Sequence, residues 1–360
     1  MCAEPLAPLK PGTIATLAGN GKTGDLPPGG GAALTVPIDQ PFGMTVGPDG
    51  ALYIAAVGQN RVLRLDLATG QIKSVAGIGR AGYSGDGGPA TEAALRDPYE
   101  ICFDRRGNMF FVEMANHLVR RVDARTGRIS TVAGSGQMGF GGDGGPAAKA
   151  VFQHPHSIAI DADDVLYVAD IGNHRIRRID PKTGTIESIA GDGTKNVPQD
   201  GVQARGQPLR SPRALFVSGR TLWIALREGN SVWRLNLDTG LLNHVAGKGA
   251  ASYTGDNGPA ADATFSGPKG IVATKDGMVY VVDTENQAIR EIDTTSGKIR
   301  SVAGAGPQAR GFGGDDGPGL LARMNRPHGI CLLPDGTLAI GDTENNRVRR
   351  VRVGERRDRK

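Results

Sequence analysis

Short runs of apolar and β-branched residues, alternating with polar ones, follow one another along almost the whole chain. In the stretch HPHSIAIDADDVLYVADIGNHRIRRIDPKTGTIESIAG four such runs are separated by Gly, Asp and Asn. They lie near Ser157–Ile160, Val165–Asp170, Arg175–Asp180 and Thr185–Ala190. Alternation at a period of two, punctuated by turn formers, predicts four antiparallel strands. The step from Asp180 to Thr183-Gly184 supplies a hairpin turn, with glycine free to take positive φ.

The same frame recurs. It opens at Pro41, Pro98, Pro155, Pro212, Pro268 and Pro327, at spacings of 57, 57, 57, 56 and 59 residues. The first five copies end alike, on Val75-Ala76-Gly77, Val132-Ala133-Gly134, Ile189-Ala190-Gly191, Val245-Ala246-Gly247 and Val302-Ala303-Gly304. One four-stranded sheet cannot bury both of its faces, so such units stack around an axis as a propeller. The sixth copy stops after Arg347–Val351 without its last strand, and residues 12–19 (GTIATLAG) match that strand as it stands in residues 127–134 (GRISTVAG). The expectation is an all-β, six-bladed β-propeller over residues 12–351, closed by the N-terminal strand in the last blade, with a basic tail at 352–360.

Composition agrees with that architecture. Glycine accounts for 55 of 360 residues, and each glycine inside a helix costs about 1 kcal/mol, so long helices are excluded. No apolar run approaches the roughly 18 residues of a membrane span. Three cysteines, Cys2, Cys102 and Cys331, are too few for a disulfide scaffold, and the last two share one register where packing thiols are expected. The formal charge of +5 is scattered apart from the tail, which reads as a solvated terminus and argues against nucleic-acid binding. No signal peptide opens the chain, which suits a cytoplasmic protein or the mature form of an exported one. Glycine-rich pieces such as SGDGGPATEAAL (84–95) fall in linkers between blades, not in strand–turn–helix settings, which argues against a nucleotide cofactor. Each linker brings one Asp, or two, so a turn followed by a short helix is expected in place of a Ca²⁺ loop, with Leu95, Phe152, Phe265 and Met324 plugging the next blade.

The tripeptides Asn116-His117-Leu118 and Asn173-His174-Arg175, with Asn286-Gln287 and Asn345-Asn346-Arg347 in the same register, together with Leu-Tyr-Val-Ala-Asp at 166–170, resemble the NHL-repeat family. The resemblance runs from residue 12 to 351 and implies a propeller; the family includes binding scaffolds, and related propellers include enzymes. It also gives His117 and His174 a structural role as consensus residues.

Function is expected where the copies differ at positions that converge. The residue after each framing proline reads Phe42, Tyr99, His156, Arg213, Lys269 and His328, and the last residue of each second strand reads Ala56, Glu113, Asp170, Leu226, Asp283 and Asp342. Antiparallel pairing brings both sets to one end of the central channel. Glu100 stands beside them where other blades carry Gly43, Gly270, Gly329, Ser157 or Ala214. His156 and His328 come from opposed blades, so they are the candidate acid–base pair, with Glu113 and Tyr99 beside them. Arg213, Lys269, Glu100 and Phe42 are candidate ligand contacts, the two cations suiting a carboxylate. Trp223 is assigned to blade core, His154 to the flank of the site, and His244 to an exposed outer strand.

The strings Gln153-His154-Pro155-His156-Ser157 and Asn325-Arg326-Pro327-His328-Gly329 are similar to the Pro-His strings of the peptidylglycine amidating lyase and virginiamycin B lyase propellers. That resemblance implies a divalent metal (Zn, Mg, Mn or Ca) on His156 and His328 with Asp170 and Asp342. Only two of six positions hold histidine, so metal-free acid–base chemistry and a merely hydrated polar channel stand as alternatives. The expected function is lyase or hydrolase chemistry on a small, anionic, carboxylate-bearing metabolite at the channel mouth. The other reading is a non-catalytic scaffold for a protein or glycan.

Overall fold

The computed structural model describes residues 8–354. Six antiparallel sheets stand around one axis, and each innermost strand begins at or just after a framing proline. Blade 3 is representative: its strands are Pro155–Ile160, Leu166–Asp170, Arg175–Ile179 and Ile186–Ala190, paired in sequence order. The predicted runs differ from these by one or two residues at their ends. Blade 6 is assembled from Ile330–Leu332, Leu338–Asp342, Arg347–Val351 and the N-terminal strand Ile14–Ala18. Ile14 pairs with Val351 and Ala18 with Val348, so the closing strand lies antiparallel on the outside of the last blade. Blades 1 and 4 each gain a two-residue fifth strand from the preceding linker, Gly31–Ala32 and Val202–Gln203.

The core lies between blades. Alternate residues of each second and third strand meet the facing sheet, as where Ala159, Tyr167 and Ala169 of blade 3 pack on Leu215, Leu222 and Ile224 of blade 4. Leu95, Phe152, Phe265 and Met324 are completely buried in these seams. The linker segments before them are single 3₁₀ turns, Ala90–Glu92, Ala147–Lys149, Ala260–Asp262 and Gly319–Leu321, each preceded by a proline. Cys102 and Cys331 are buried free thiols, and Trp223 is a core residue. His244 departs from expectation: it is half-buried, stacked edge-on against Trp233 at 4.9 Å between ring centroids. Cys2 and residues 355–360 of the basic tail lie outside the described residues. No described helix is long and apolar enough to cross a membrane.

A clasp joins each blade to the next. Asn60, His117, His174, Asn230, Gln287 and Asn346 all sit at φ between 45° and 57°, where their side chains point forward into the following blade. There each accepts a hydrogen bond from the backbone N–H just before the next framing proline, as His117 Nδ1 does from His154 (3.2 Å) and His174 Nδ1 from Ser211 (3.1 Å). Asn60, Asn230, Gln287 and Asn346 accept likewise from Asp97, Gly267, Arg326 and Gln40. An imidazole that accepts at Nδ1 is neutral there, and burial holds both histidines below their ordinary value.

Candidate site at the channel mouth

The six residues after the framing prolines meet at one end of the channel, around a cavity of about 270 Å³. Their rings form an arc. His328 lies 4.2 Å from Phe42, Phe42 4.6 Å from Tyr99, and Tyr99 4.9 Å from His156, all between centroids. The Arg213 guanidinium stands over the Tyr99 ring at 5.3 Å. Lys269 completes the ring.

Both imidazoles are held the same way. His156 Nδ1 lies 2.6 Å from the His154 carbonyl and His328 Nδ1 2.8 Å from the Arg326 carbonyl. A carbonyl only accepts, so each Nδ1 carries the proton and each Nε2 keeps a lone pair. Burial keeps both well below the ordinary imidazole value, and the nearby cations, Arg213 for His156 and Lys269 with Arg213 for His328, push the same way. At neutral pH these are two neutral bases.

The cations are not equivalent. Lys269 Nζ lies 2.9 Å from Glu285, and burial lowers this amine to about 8. Arg326 joins both Glu285 (3.1 Å) and Glu344 (3.0 Å). Arg213 is 2 % exposed, its Nη1 has no hydrogen-bond partner, and no carboxylate comes within ion-pair distance among the described residues. A buried guanidinium without a partner is costly unless something else occupies its donors.

Arg227 and Arg326 also line the mouth and were missed in the sequence. Arg227 could have been found: it follows the second strand where the other blades have Val57, Met114, Ile171, Thr284 and Thr343. Glu100 does not line the mouth. It lies lower on the channel wall, close enough to blade 1 that a Cβ on Gly43 would stand 2.6 Å from its Oε2. Burial there pushes it up to about 7, against the opposing pull of Arg213.

The second-strand carboxylates reach the same end of the propeller but not the channel. Asp170 pairs across the ladder with Pro155 and not with His156, so its side chain points away from the axis. It accepts from Gln153 N (2.7 Å) and Asn173 Nδ2 (2.8 Å) and meets Arg177, itself wholly buried, at 3.3 Å. Arg177 then reaches Asp143 of the preceding linker (2.6 Å) and stacks on Phe140 of the same linker. Three other blades repeat the pattern: Glu113–Arg120–Asp86 under Tyr83, Asp283–Arg290–Asp256 under Tyr253, and Asp342–Arg349–Asp315 under Phe312. Blades 1 and 4 have Ala56 with Leu63 and Leu226 with Trp233 instead, and their linkers lack the Gly-Asp-x-Gly-Pro string. Carboxylate, arginine seven residues on, and linker aspartate therefore occur together or not at all, a signal the sequence carried. Glu113 is accordingly no catalytic neighbour of the histidines, and Asp170 and Asp342 are turned from the imidazoles they were expected to join. Among the described residues no three His, Cys, Asp or Glu side chains converge in a metal-holding arrangement. The residues present do not fit the divalent metal implied by the lyase resemblance.

A family model, the NHL repeat, matches residues 152–179 and 324–351. NHL repeat-containing protein 2 of Gallus gallus is 27 % identical over 346 residues, covering 87 % of this chain and 46 % of that protein. Protein SUPPRESSOR OF QUENCHING 1, chloroplastic, of Arabidopsis thaliana is 24 % identical over 292 residues, covering 78 % of this chain and 27 % of that one. The chain thus spans between about a quarter and just under half of these relatives. Among solved structures, virginiamycin B lyase of Staphylococcus aureus superposes with a TM-score of 0.53 at 17 % identity, covering 94 % of this chain and 98 % of the lyase, a likeness of fold.

Proposed function

We propose that this chain, an NHL-repeat β-propeller, holds a small carboxylate-bearing metabolite at the mouth of its central channel and acts on it by elimination or hydrolysis. The observation that carries the reading is Arg213: a buried guanidinium facing the mouth cavity with a free Nη1 and, among the described residues, no carboxylate within ion-pair distance. A ligand carboxylate is the group that matches its planar pair of donors. Phe42 and Tyr99 form an apolar wall beside it, which suits a short hydrocarbon or ring.

Bound in this way, the ligand lies against the Nε2 lone pairs of His156 and His328. The backbone carbonyls of His154 and Arg326 fix both rings, so neither base must reorient before taking a proton. In an elimination one Nε2 removes the proton from the carbon beside the carboxylate, Arg213 and Lys269 stabilise the negative charge that develops, and the freed C–H electron pair forms the double bond as the leaving group departs from the next carbon with its bonding pair. In a hydrolysis the same Nε2 deprotonates the attacking water.

A second reading, ligand binding without turnover, draws on the fact that every second-strand carboxylate is engaged by arginine or backbone, leaving no carboxylate to orient either imidazole. One set of variants separates the two. Arg213→Met is expected to weaken butyrate or benzoate binding, followed by NMR titration, by about 10- to 100-fold, the loss of one charge-assisted contact of about 1.5–3 kcal/mol. His156→Ala and His328→Ala should bind the same carboxylates normally, yet lower turnover of any substrate by about 10²–10⁴. Unchanged carboxylate affinity in Arg213→Met removes the mouth as the site; full turnover in both histidine variants leaves the non-catalytic reading.

A further inference from the structure

The charge balance of the mouth says more about its ligand. Four cations face the cavity: Arg213, Arg227, Lys269 and Arg326. Two carboxylates answer Lys269 and Arg326, namely Glu285, which touches both, and Glu344. The two arginines of blade 4 are left over. Arg213 has no acidic partner within ion-pair distance among the described residues, and its Nη1 has no hydrogen-bond partner. Arg227 has only Glu228, at 3.9 Å, and that carboxylate is already taken by the Ser211 hydroxyl. Glu100, beneath the floor, is held near pKa 7 by burial and forms no ion pair with Arg213. Arg213 is held below its ordinary value mainly by burial, and the nearby Arg227 charge pushes the same way.

They also differ in depth. Arg213 is wholly enclosed at the floor, whereas the Arg227 side chain is 40 % exposed at the lip. Two like charges at different depths, the inner without an acidic partner among the described residues and the outer with only Glu228 at 3.9 Å, are complementary to a ligand with an acidic group at each end. The cavity, about 270 Å³, is smaller than the roughly 300–1,000 Å³ of sites that take drug-sized ligands, which suits a small one.

We propose that the mouth is built for a short dicarboxylate, one carboxylate seated on Arg213 at the floor and the second on Arg227 at the lip. This rests on the carboxylate site proposed above and narrows it to a ligand of two negative charges. Arg227 is then a specificity-determining residue: it adds little for a monoacid and holds the outer carboxylate of a diacid.

Calorimetric or NMR titration of the full chain with succinate, glutarate and butyrate at low ionic strength tests it. The better diacid is expected to bind at least tenfold more tightly than butyrate. Arg227→Gln should weaken that diacid far more than butyrate and so remove most of its advantage, and Arg227→Lys should restore part of the difference. The Arg227 side chain is outside the core, so these variants are expected to fold, which thermal melts will check. Equal affinity for butyrate and both diacids, or an Arg227→Gln variant that weakens all three alike, overturns the dicarboxylate assignment and leaves the single-carboxylate site intact. Inorganic phosphate binding more tightly than either diacid also overturns it, in favour of a phosphate ester. Failure of all these anions to bind removes both readings together.

Discussion

Asp170→Ala separates a structural carboxylate from a functional one. In the fold it removes three contacts: to Gln153 N at 2.7 Å, to Asn173 Nδ2 at 2.8 Å, and to the wholly buried Arg177 at 3.3 Å. Breaking a buried ion pair by removing one partner costs about 3–5 kcal/mol. Arg177 keeps Asp143 at 2.6 Å and the Gly141 carbonyl at 3.1 Å, so the lower end, about 3 kcal/mol, is expected. With an unfolding entropy of about 2.1 cal/mol/K per residue, that lowers Tm by about 4 °C for a chain of this length. Calorimetry and urea unfolding measure it. The double variant Asp170→Ala with Arg177→Leu reproduces the Ala56–Leu63 pair of blade 1 and is expected to be more stable than Asp170→Ala alone, because no buried cation is left unpaired. An Asp170→Ala protein that melts with the wild type but loses ligand or catalytic function would return Asp170 to the active site and break the assignment of all four carboxylate–arginine pairs.

The inter-blade clasp predicts acid sensitivity. His117 and His174 have folded pKa values below the unfolded 6.5, so the unfolded chain takes up protons first. Stability is therefore full above about pH 6.5 and declines as pH falls below it, and His117→Asn with His174→Asn, which copies the asparagines of blades 1, 4 and 6, should flatten this part of the urea midpoint–pH curve. The depressed values of His156 and His328 act in the same direction and remain in that variant, so the slope should shrink without vanishing. Gly43→Ala places a Cβ 2.3 Å from the Tyr99 carbonyl and 2.6 Å from Glu100 Oε2 and is expected to cost about 1–3 kcal/mol by overpacking, read from urea midpoints. Because burial of its carboxyl holds Glu100 up near 7, Glu100→Gln should raise stability at pH 8 relative to pH 5, and a melt insensitive to this change across that range would show that Glu100 ionises freely.

Much of the site was readable from register alone. Once the six prolines align, Phe42, Tyr99, His156, Arg213, Lys269 and His328 must share a rim, because a repeat of fixed length puts equal positions at equal heights. The second-strand carboxylates show where that reasoning stops. Asp170 and His156 do lie at the same end of the same blade, but a strand alternates its faces, and a register offset of one residue turns Asp170 outward to Arg177 while His156 faces the axis. Pairing partner, not height, sets direction.

Blade number, ring order and the framing prolines follow from local periodicity and from the need of each sheet to bury its faces, and both are written in the one-dimensional order of residues. Which charges remain unanswered is a different kind of fact. It depends on Glu285 reaching Lys269 and Arg326 from the turn after a second strand, on linker aspartates folding over the arginines of the following blade, and on Arg213 having no carboxylate within ion-pair distance among the described residues. Those distances arise only when segments far apart in the chain pack together, because an ion pair is decided by a few ångströms in space and not by any spacing along the sequence.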